Sequence, residues 1–311
     1  MDNIAGTVLN QTIIMFIILI IGALCYKFRI INDEGKKQLS ALVLNVVNPL
    51  LIFLSYQTDI RTDLMEGLMW SGIMGALTYG AFIGLSFIIF RNKNNVDTII
   101  ERFSIIYSNC GFMGTPLIFG VFGNDGVFIM NGFITMFNLF VWTHGIMTMK
   151  GEKNGKTLLK AFRAPAVIAI AAGLVCFFFQ FRLPEIPFEA LNSIAEMTTP
   201  LAMFVAGASI MSAGILNSIK TPRVYLVAAI KNLVFPIIGL LIIMLLPCDD
   251  LYKLIVLLEI SCPTAAIGTM FAISYNKNAE YSAKIFAVTT ILSGLTLPLM
   301  SFVGSYVLSL F

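Results

Sequence analysis

Charge is scarce in this chain. Only 12% of its 311 residues are Asp, Glu, Lys or Arg, about half the roughly 25% usual in soluble domains. That density cannot cover the surface of a water-soluble particle of this size, which excludes an ordinary cytosolic enzyme. A net charge of +3 is too small to mark a polyanion, so no nucleic-acid partner is expected. There is one histidine, His144, and the 5 cysteines (Cys25, Cys110, Cys176, Cys248, Cys262) show no C-x-x-C spacing. The cysteines read as small apolar filler, not as a metal or redox set. No glycine loop ends in a phosphate-binding lysine, and no Ser/His/Asp set can be assembled, so the chain is not expected to be an enzyme or to carry a cofactor. Asp2 and no basic residue precede the first apolar run. A secretory signal needs a positive start, so that run is expected to be a retained span.

What the chain has is apolar length. Hydrophobic residues make up 58% and the mean hydropathy is +0.89. A spanning helix needs about 20 apolar residues, and ten segments answer to that: 7–26, 39–57, 67–90, 99–122, 127–148, 164–181, 190–213, 224–246, 251–274 and 284–309. The expected fold is an all-α membrane protein whose partner is the lipid bilayer. Seventeen of the 20 basic residues fall in or beside the connections after the odd-numbered segments, and only Arg61, Arg182 and Lys253 fall on the other side. Lys231 is counted as a flank in this tally, so that no Lys or Arg stands in the middle of a span. Basic residues stay in the cytoplasm. The bias therefore predicts a cytoplasmic-membrane protein with both termini outside.

The most basic connection, 149–163, divides the chain into 1–148 and 164–311. Across it the sequence repeats weakly. NVVNPLLIF at 45–53 aligns with EMTTPLAMF at 196–204, sharing Pro49/Pro200, Leu50/Leu201 and Phe53/Phe204. NCGFMGTPLIF at 109–119 aligns with SCPTAAIGTMF at 261–271, sharing Cys110/Cys262 and Phe119/Phe271. The two offsets are 151 and 152 residues. Five spans per half is an odd number, so the second half enters the membrane from the opposite side. Such an inverted 5+5 repeat is a hallmark of secondary transporters.

Two segments carry helix breakers at matching depth: Gly111, Gly114, Thr115 and Pro116 in the fourth, and Pro263, Thr264 and Gly268 in the ninth. Proline removes a backbone donor and glycine weakens the helix. Broken helices in both halves are the best sequence pointer to a transport site. The half-helices that begin near Pro116 and Gly268 would aim amide dipoles at the break, which suits carboxylates. Polar residues gather near the breaks and near the repeated prolines: Asn45 and Asn48; Ser108 and Asn109; Glu196, Thr198 and Thr199; Glu259 and Ser261. Asn131, Thr135 and Asn138 share one face of the fifth segment, where interhelical hydrogen bonding is the plainer use. An ionisable residue within a span is a functional candidate by default, which singles out Glu259. Glu196 is a second candidate, with a solvated position at a span end as its alternative. His144 sits near an inner span end and is expected to pack.

These motifs, N-x-x-N-P at 45–49, S-N-x-x-x-M-G-x-P at 108–116 and the Pro-x-x-x-x-Gly stretch at 263–268 followed by Phe271 and Tyr275, resemble those of the auxin efflux carrier family, which includes plant PIN-formed auxin carriers and bacterial malate and malonate permeases. The resemblance covers the whole chain, and the short central connection is similar to bacterial members. It implies a scaffold of spans 1, 2, 6 and 7, a transport unit of spans 3–5 and 8–10, an elevator motion, crossing of spans 4 and 9 at the site, and homodimers. It places Asn109 near the substrate and Pro116 at the crossing, whereas Gly268 stands where plant members keep a second proline. The expected function is secondary transport of a small organic anion such as malate or malonate. The expected substrate-site residues are Asn48, Asn109, Thr115, Pro116, Thr199, Thr264 and Gly268. The wider fold is similar to sodium/bile-acid symporters. That likeness implies a sodium site from Ser108, Asn109, Thr135 and Glu259. Sodium is the favoured coupling ion; Glu259 carrying a proton instead, with proton-coupled or uncoupled transport, stands as the alternative, and a channel or sensor of the same fold is a further one.

Overall fold

A computed structural model describes residues 4–91, 96–150, 165–212 and 221–310. Among them the chain is helical, without a β-strand. In chain order the helices are α1 (Ile4–Lys27), α2 (Asp33–Ser55), α3 (Thr62–Ile89), α4 (Val96–Ile106), α5 (Cys110–Met149), α6 (Pro165–Phe178), α7 (Glu185–Ser212), α8 (Pro222–Met244), α9 (Asp250–Ser261), α10 (Ile267–Ser274) and α11 (Ala279–Leu308). Seven of these, α1, α2, α3, α5, α7, α8 and α11, are long and apolar enough to cross a membrane. The basic connection 149–163 lies almost wholly outside the described residues.

The 40-residue α5 holds both the second half of the fourth predicted segment and the fifth. Gly123 divides it, with φ +65° and ψ −156°. Only glycine takes that backbone without strain, and the chain changes direction there, between the predicted boundaries 122 and 127.

Prolines set the local geometry of three helices. Pro49, Pro116 and Pro236 have no N–H to give to the carbonyl four residues back. In each case the preceding turn widens so that the residue before the proline donates five residues back: Asn48 N–H to Val43 O, Thr115 N–H to Cys110 O, and Phe235 N–H to Ile230 O. These π-turns span Val43–Val47, Cys110–Gly114 and Ile230–Val234. Such wide turns rotate the side chains that follow and are common at functional sites.

Glycines let helices meet at backbone distance, as membrane bundles require. A methyl group added at Gly22 in α1 would lie 2.6 Å from the Phe204 Cα in α7, and one at Gly207 in α7 would strike the backbone of Leu19 and Ala23. Gly132 in α5 lies against Leu68 O and Gly72 N of α3, and the Ser71 hydroxyl donates to Ile129 O. Gly173 in α6 packs on the Tyr56 ring beyond α2. The outer face of α1 exposes Ile13, Ile17, Ile20 and Ile21, a stripe suited to hydrocarbon rather than water.

One local structure recurs across the midpoint. Arg29 and Gln180, 151 positions apart, both adopt left-handed backbone, with φ +60° and +50°. After α1, Ile30 N–H donates to Cys25 O at 2.9 Å; after α6, Phe181 N–H donates to Cys176 O at 2.8 Å. These helix ends correspond residue for residue at the offset found in the sequence.

Candidate functional site

The chain is unwound at two places, between α4 and α5 and between α9 and α10, and the two gaps meet. Asn109 N–H donates to Pro263 O at 2.7 Å, and Ala265 N–H donates to Tyr107 O at 2.9 Å. Ser108 and Thr264 thereby form an antiparallel bridge of a single residue pair. Backbone groups freed from a helix inside a membrane must be satisfied by protein or by a wet cavity. Here each gap satisfies part of the other. The two predicted helix breaks are therefore one site.

The crossing brings together the ends of four helices. The carbonyl ends of α4 and α9 and the amide ends of α5 and α10 converge, so both signs of helix dipole are present. Ser108, Asn109, Glu259 and Thr264 are each at most 3% exposed. A surface cleft of about 300 Å³ whose lining includes Arg61, Asp63, Asp125 and Asp249 contains none of these four residues.

Glu259 lies on the last turns of α9 with no solvent exposure, and neither carboxylate oxygen has a hydrogen-bond partner among the described residues. It faces Gly114. A methyl group built there would lie 2.7 Å from Oε2 and 2.8 Å from the carboxyl carbon. On the other side of the same turn, a methyl at Gly111 would lie 3.8 Å from Asn48 Nδ2. Asn48 Oδ1 and Asn109 Nδ2 are also buried without partners. An unpaired buried polar group costs about 1–3 kcal/mol. Several of them gathered around one helix start form a set of free donors and acceptors that a ligand can use.

Other expected site residues are committed elsewhere. The Thr115 hydroxyl donates to Cys110 O at 3.2 Å, and the Thr264 hydroxyl donates to Ser104 O. The Thr135 hydroxyl donates to Asn131 O within its own helix at 2.7 Å. Pro116 is buried at the start of the α-helical part of α5, while Gly268 packs on the Phe103 ring. Thr199 is half-buried at the start of the stretch Thr198–Ser212 of α7. Asn45 points outward and bonds to Ala41 O, and Glu196 is exposed and accepts from Asn192 Nδ2. Asn131 bridges helices by donating to the Ser55 hydroxyl at 3.1 Å. His144 contacts the Tyr107 hydroxyl at 2.9 Å through Nδ1 and the Thr148 hydroxyl at 3.2 Å through Nε2. It packs, as expected.

One expectation is corrected. The sequence reading treats Lys231 as a flank and places no cation within a span. Lys231 is in fact wholly buried, on the π-turn of α8, and its Nζ donates to Ile260 O at 3.2 Å. That carbonyl belongs to the end of α9, next to Glu259. The neighbouring Asn232 donates to Thr289 O at 2.8 Å. The signal was visible: a Lys-Asn pair eight residues into an apolar run and four residues before Pro236. Charge counting missed it because a lysine near a span end and one at mid-depth look alike in a tally.

A helical membrane protein with two gapped helices crossing over a buried carboxylate has the form of a transporter. The chain belongs to the membrane transport protein family, that of the auxin efflux carriers: the family model matches residues 7–157 and again residues 152–301. It is similar along nearly its whole length to two archaeal proteins. An uncharacterized transporter of Methanothermobacter thermautotrophicus is 24% identical over 302 residues, covering 94% of this chain and 98% of that one. Another, of Methanocaldococcus jannaschii, is 25% identical over 312 residues, covering 95% and 98%.

Proposed function

We propose that this chain is a secondary transporter that moves a small organic anion, a mono- or dicarboxylate such as malate or malonate, across the cytoplasmic membrane by alternating access. The observation that carries the reading is the crossing. The amide end of α5 meets unpartnered Asn48 and Asn109 groups on one side and the unpartnered Glu259 carboxylate on the other. Of these, the Asn109 Nδ2 donor suits a carboxylate, which accepts hydrogen bonds from amides and gains from the helix dipole. The Glu259 carboxylate suits a small cation. We assign that cation as sodium, held by Glu259 with Ser108, Asn109 and Thr135 as oxygen donors. Transport of the pair then uses two adjoining sites of opposite sign at the crossing.

Proton coupling is the second reading. It is favoured by the hydrogen bonding of Thr135, whose hydroxyl is turned to its own helix, and by the complete burial of Glu259. A carboxyl whose two oxygens have no hydrogen-bond partner is free to take up a proton in place of a metal cation.

The ten-span arrangement in two inverted halves, 1–148 and 164–311, belongs to this proposal, with both termini extracellular. It is supported by the division of α5 at Gly123 and by the matching helix ends at Arg29 and Gln180. In it, spans 1, 2, 6 and 7 form the scaffold and the homodimer contact, and spans 3–5 and 8–10 form the moving unit. The close approaches of α1 to α7 and of α2 to α6 fit that grouping.

The test is uptake in proteoliposomes against a panel of mono- and dicarboxylates, with sodium or choline as the cation and at two pH values. Sodium-stimulated uptake of a carboxylate supports the reading. Stimulation by an inward proton gradient alone selects the proton form. Uptake of cations or neutral sugars only, or conductance without saturation, overturns it.

A further inference from the structure

Tyr79 belongs to none of the sequence motifs, yet it reaches the crossing. It stands in α3 and is buried. Four neighbouring rings hold its own ring: Tyr107 at 5.8 Å between centroids, Phe133 at 5.2 Å, Phe140 at 5.6 Å and Phe137 at 6.4 Å. The hydroxyl faces the Ser108 side chain and lies within electrostatic reach of Cys110 and Glu259. It makes no hydrogen bond among the described residues. A phenol oxygen can both donate and accept, and one left unpaired in a packed interior costs stability.

The two halves of the chain fill this place differently. Tyr79 and Ser108 stand 152 positions before Lys231 and Ile260, the offset that relates the fourth and ninth segments. Lys231 Nζ donates to Ile260 O at 3.2 Å, whereas Tyr79 faces Ser108 and donates to nothing. One pair joins α8 to the carbonyl end of α9, and the other joins α3 to the chain just past the carbonyl end of α4. In the second half an ammonium stands at the helix end, where the dipole favours a cation. In the first half there is a neutral oxygen, and near it the Glu259 carboxylate, whose two oxygens are also without partners. A lysine fills such a place permanently, and a phenol leaves it to a mobile cation.

We infer that the Tyr79 hydroxyl is an oxygen ligand of the coupling cation, acting with Glu259 and Ser108. The inference rests on the sodium reading above and deepens it by adding a residue from α3. A hard cation takes neutral and anionic oxygens together. The Thr135 hydroxyl already donates to Asn131 O, whereas that of Tyr79 is uncommitted. The Tyr79 ring is held by packing and not by any bond of its hydroxyl, so the oxygen is in place before the cation arrives. Little ordering then remains to be paid on binding.

The test is sodium-dependent thermal stabilisation of the purified full chain in detergent, with sodium chloride replacing choline chloride at constant ionic strength. Wild type, Tyr79→Phe, Tyr56→Phe and Glu259→Gln are compared. Tyr79→Phe keeps the ring and deletes only the oxygen. In choline its melting temperature should equal or exceed that of wild type, because no internal hydrogen bond is lost. Its half-saturating sodium concentration should rise about 10-fold or more, the size of one lost contact to a charged group. Tyr56→Phe is the control. It deletes another buried hydroxyl without a partner, beyond α2 and against Gly173, and should keep the sodium response of wild type. Glu259→Gln should show no sodium response. If Glu259→Gln loses the response and Tyr79→Phe keeps the wild-type half-saturation, the inference is overturned and the sodium reading stands. Equal shifts in the two tyrosine variants overturn it too, and so does a Tyr79→Phe chain that does not fold, because the hydroxyl is then a structural partner. If wild type itself gains nothing from sodium, the sodium reading fails and the ligand role of Tyr79 falls with it.

Discussion

The carboxylate of Glu259 lies directly over Gly114, across the point where two unwound segments of the chain cross. The two residues are 145 positions apart. One comes from the helix that ends at the crossing and the other from a helix that begins there. A glycine at that place leaves the carboxylate room and leaves both its oxygens free.

Substituting that glycine is expected to be costly. In Gly114→Ala the new methyl would lie 2.7 Å from Oε2. Overpacking of this kind costs about 1–3 kcal/mol, and it displaces the group assigned to the cation. The expected result is a lower melting temperature in detergent and at least tenfold less uptake. Gly111→Ala is the control. Its methyl meets only Asn48 Nδ2 at 3.8 Å, an ordinary contact, so stability should be nearly unchanged. Equal effects of the two substitutions would speak against the Gly114–Glu259 relationship.

Asn109→Ala should separate stability from function. The side-chain Nδ2 has no partner in the structure, so its removal sacrifices no internal hydrogen bond and the melting temperature should hold or rise. If the amide binds a charged ligand, a hydrogen bond worth about 1.5–3 kcal/mol is lost and affinity falls roughly 10- to 150-fold. Calorimetric or thermal-shift titration with the transported anion measures this directly. Wild-type affinity in the variant removes Asn109 from the site.

Glu259→Gln keeps the shape and removes the charge. Under sodium coupling, sodium-dependent thermal stabilisation should vanish, since binding to the native state is what raises stability. Under proton coupling, sodium has no effect in either protein and the variant loses the pH dependence of uptake. A variant that transports normally with its ion dependence intact would leave Glu259 as a structural residue.

The pair Glu101–Arg223 predicts a purely structural effect. Glu101 is fully buried and is held by Arg223 and by Tyr281. Arg223→Met leaves an uncompensated carboxylate, which costs about 3–5 kcal/mol in a fully buried pair. Half-exposure of Arg223 puts the expected loss near the low end. Tyr281→Phe should cost only about 1 kcal/mol. The double variant Glu101→Gln/Arg223→Met should recover most of the loss in a thermal melt.

Much of this architecture follows from the order of residues alone. Low charge and long apolar runs require helices in a bilayer, because only internally hydrogen-bonded segments survive there. The break in the ninth segment, between Ser261 and Ile267, holds Pro263, whose backbone chemistry is local, whereas that in the fourth falls at 107–109, ahead of Gly111, Gly114 and Pro116, which lie inside α5. The turn between the fourth and fifth predicted segments falls at Gly123, where the sequence expects a boundary. Even the widened turns before Pro49, Pro116 and Pro236 are consequences of one missing N–H each.

Tertiary structure decided what each polar side chain meets. Asn45 and Asn48 are one motif in sequence, yet Asn45 faces out and Asn48 lies buried by the crossing, because the widened turn between them shifts the face that follows. Thr115 and Thr264 stand at the breaks, but their hydroxyls are taken by the carbonyls of Cys110 and Ser104. Lys231 reads as a flank until α8 is seen packed against the end of α9. Depth in a membrane is a three-dimensional quantity. A count along the chain records where a charge falls in a run of residues, and only packing shows whether water or a helix end lies beside it.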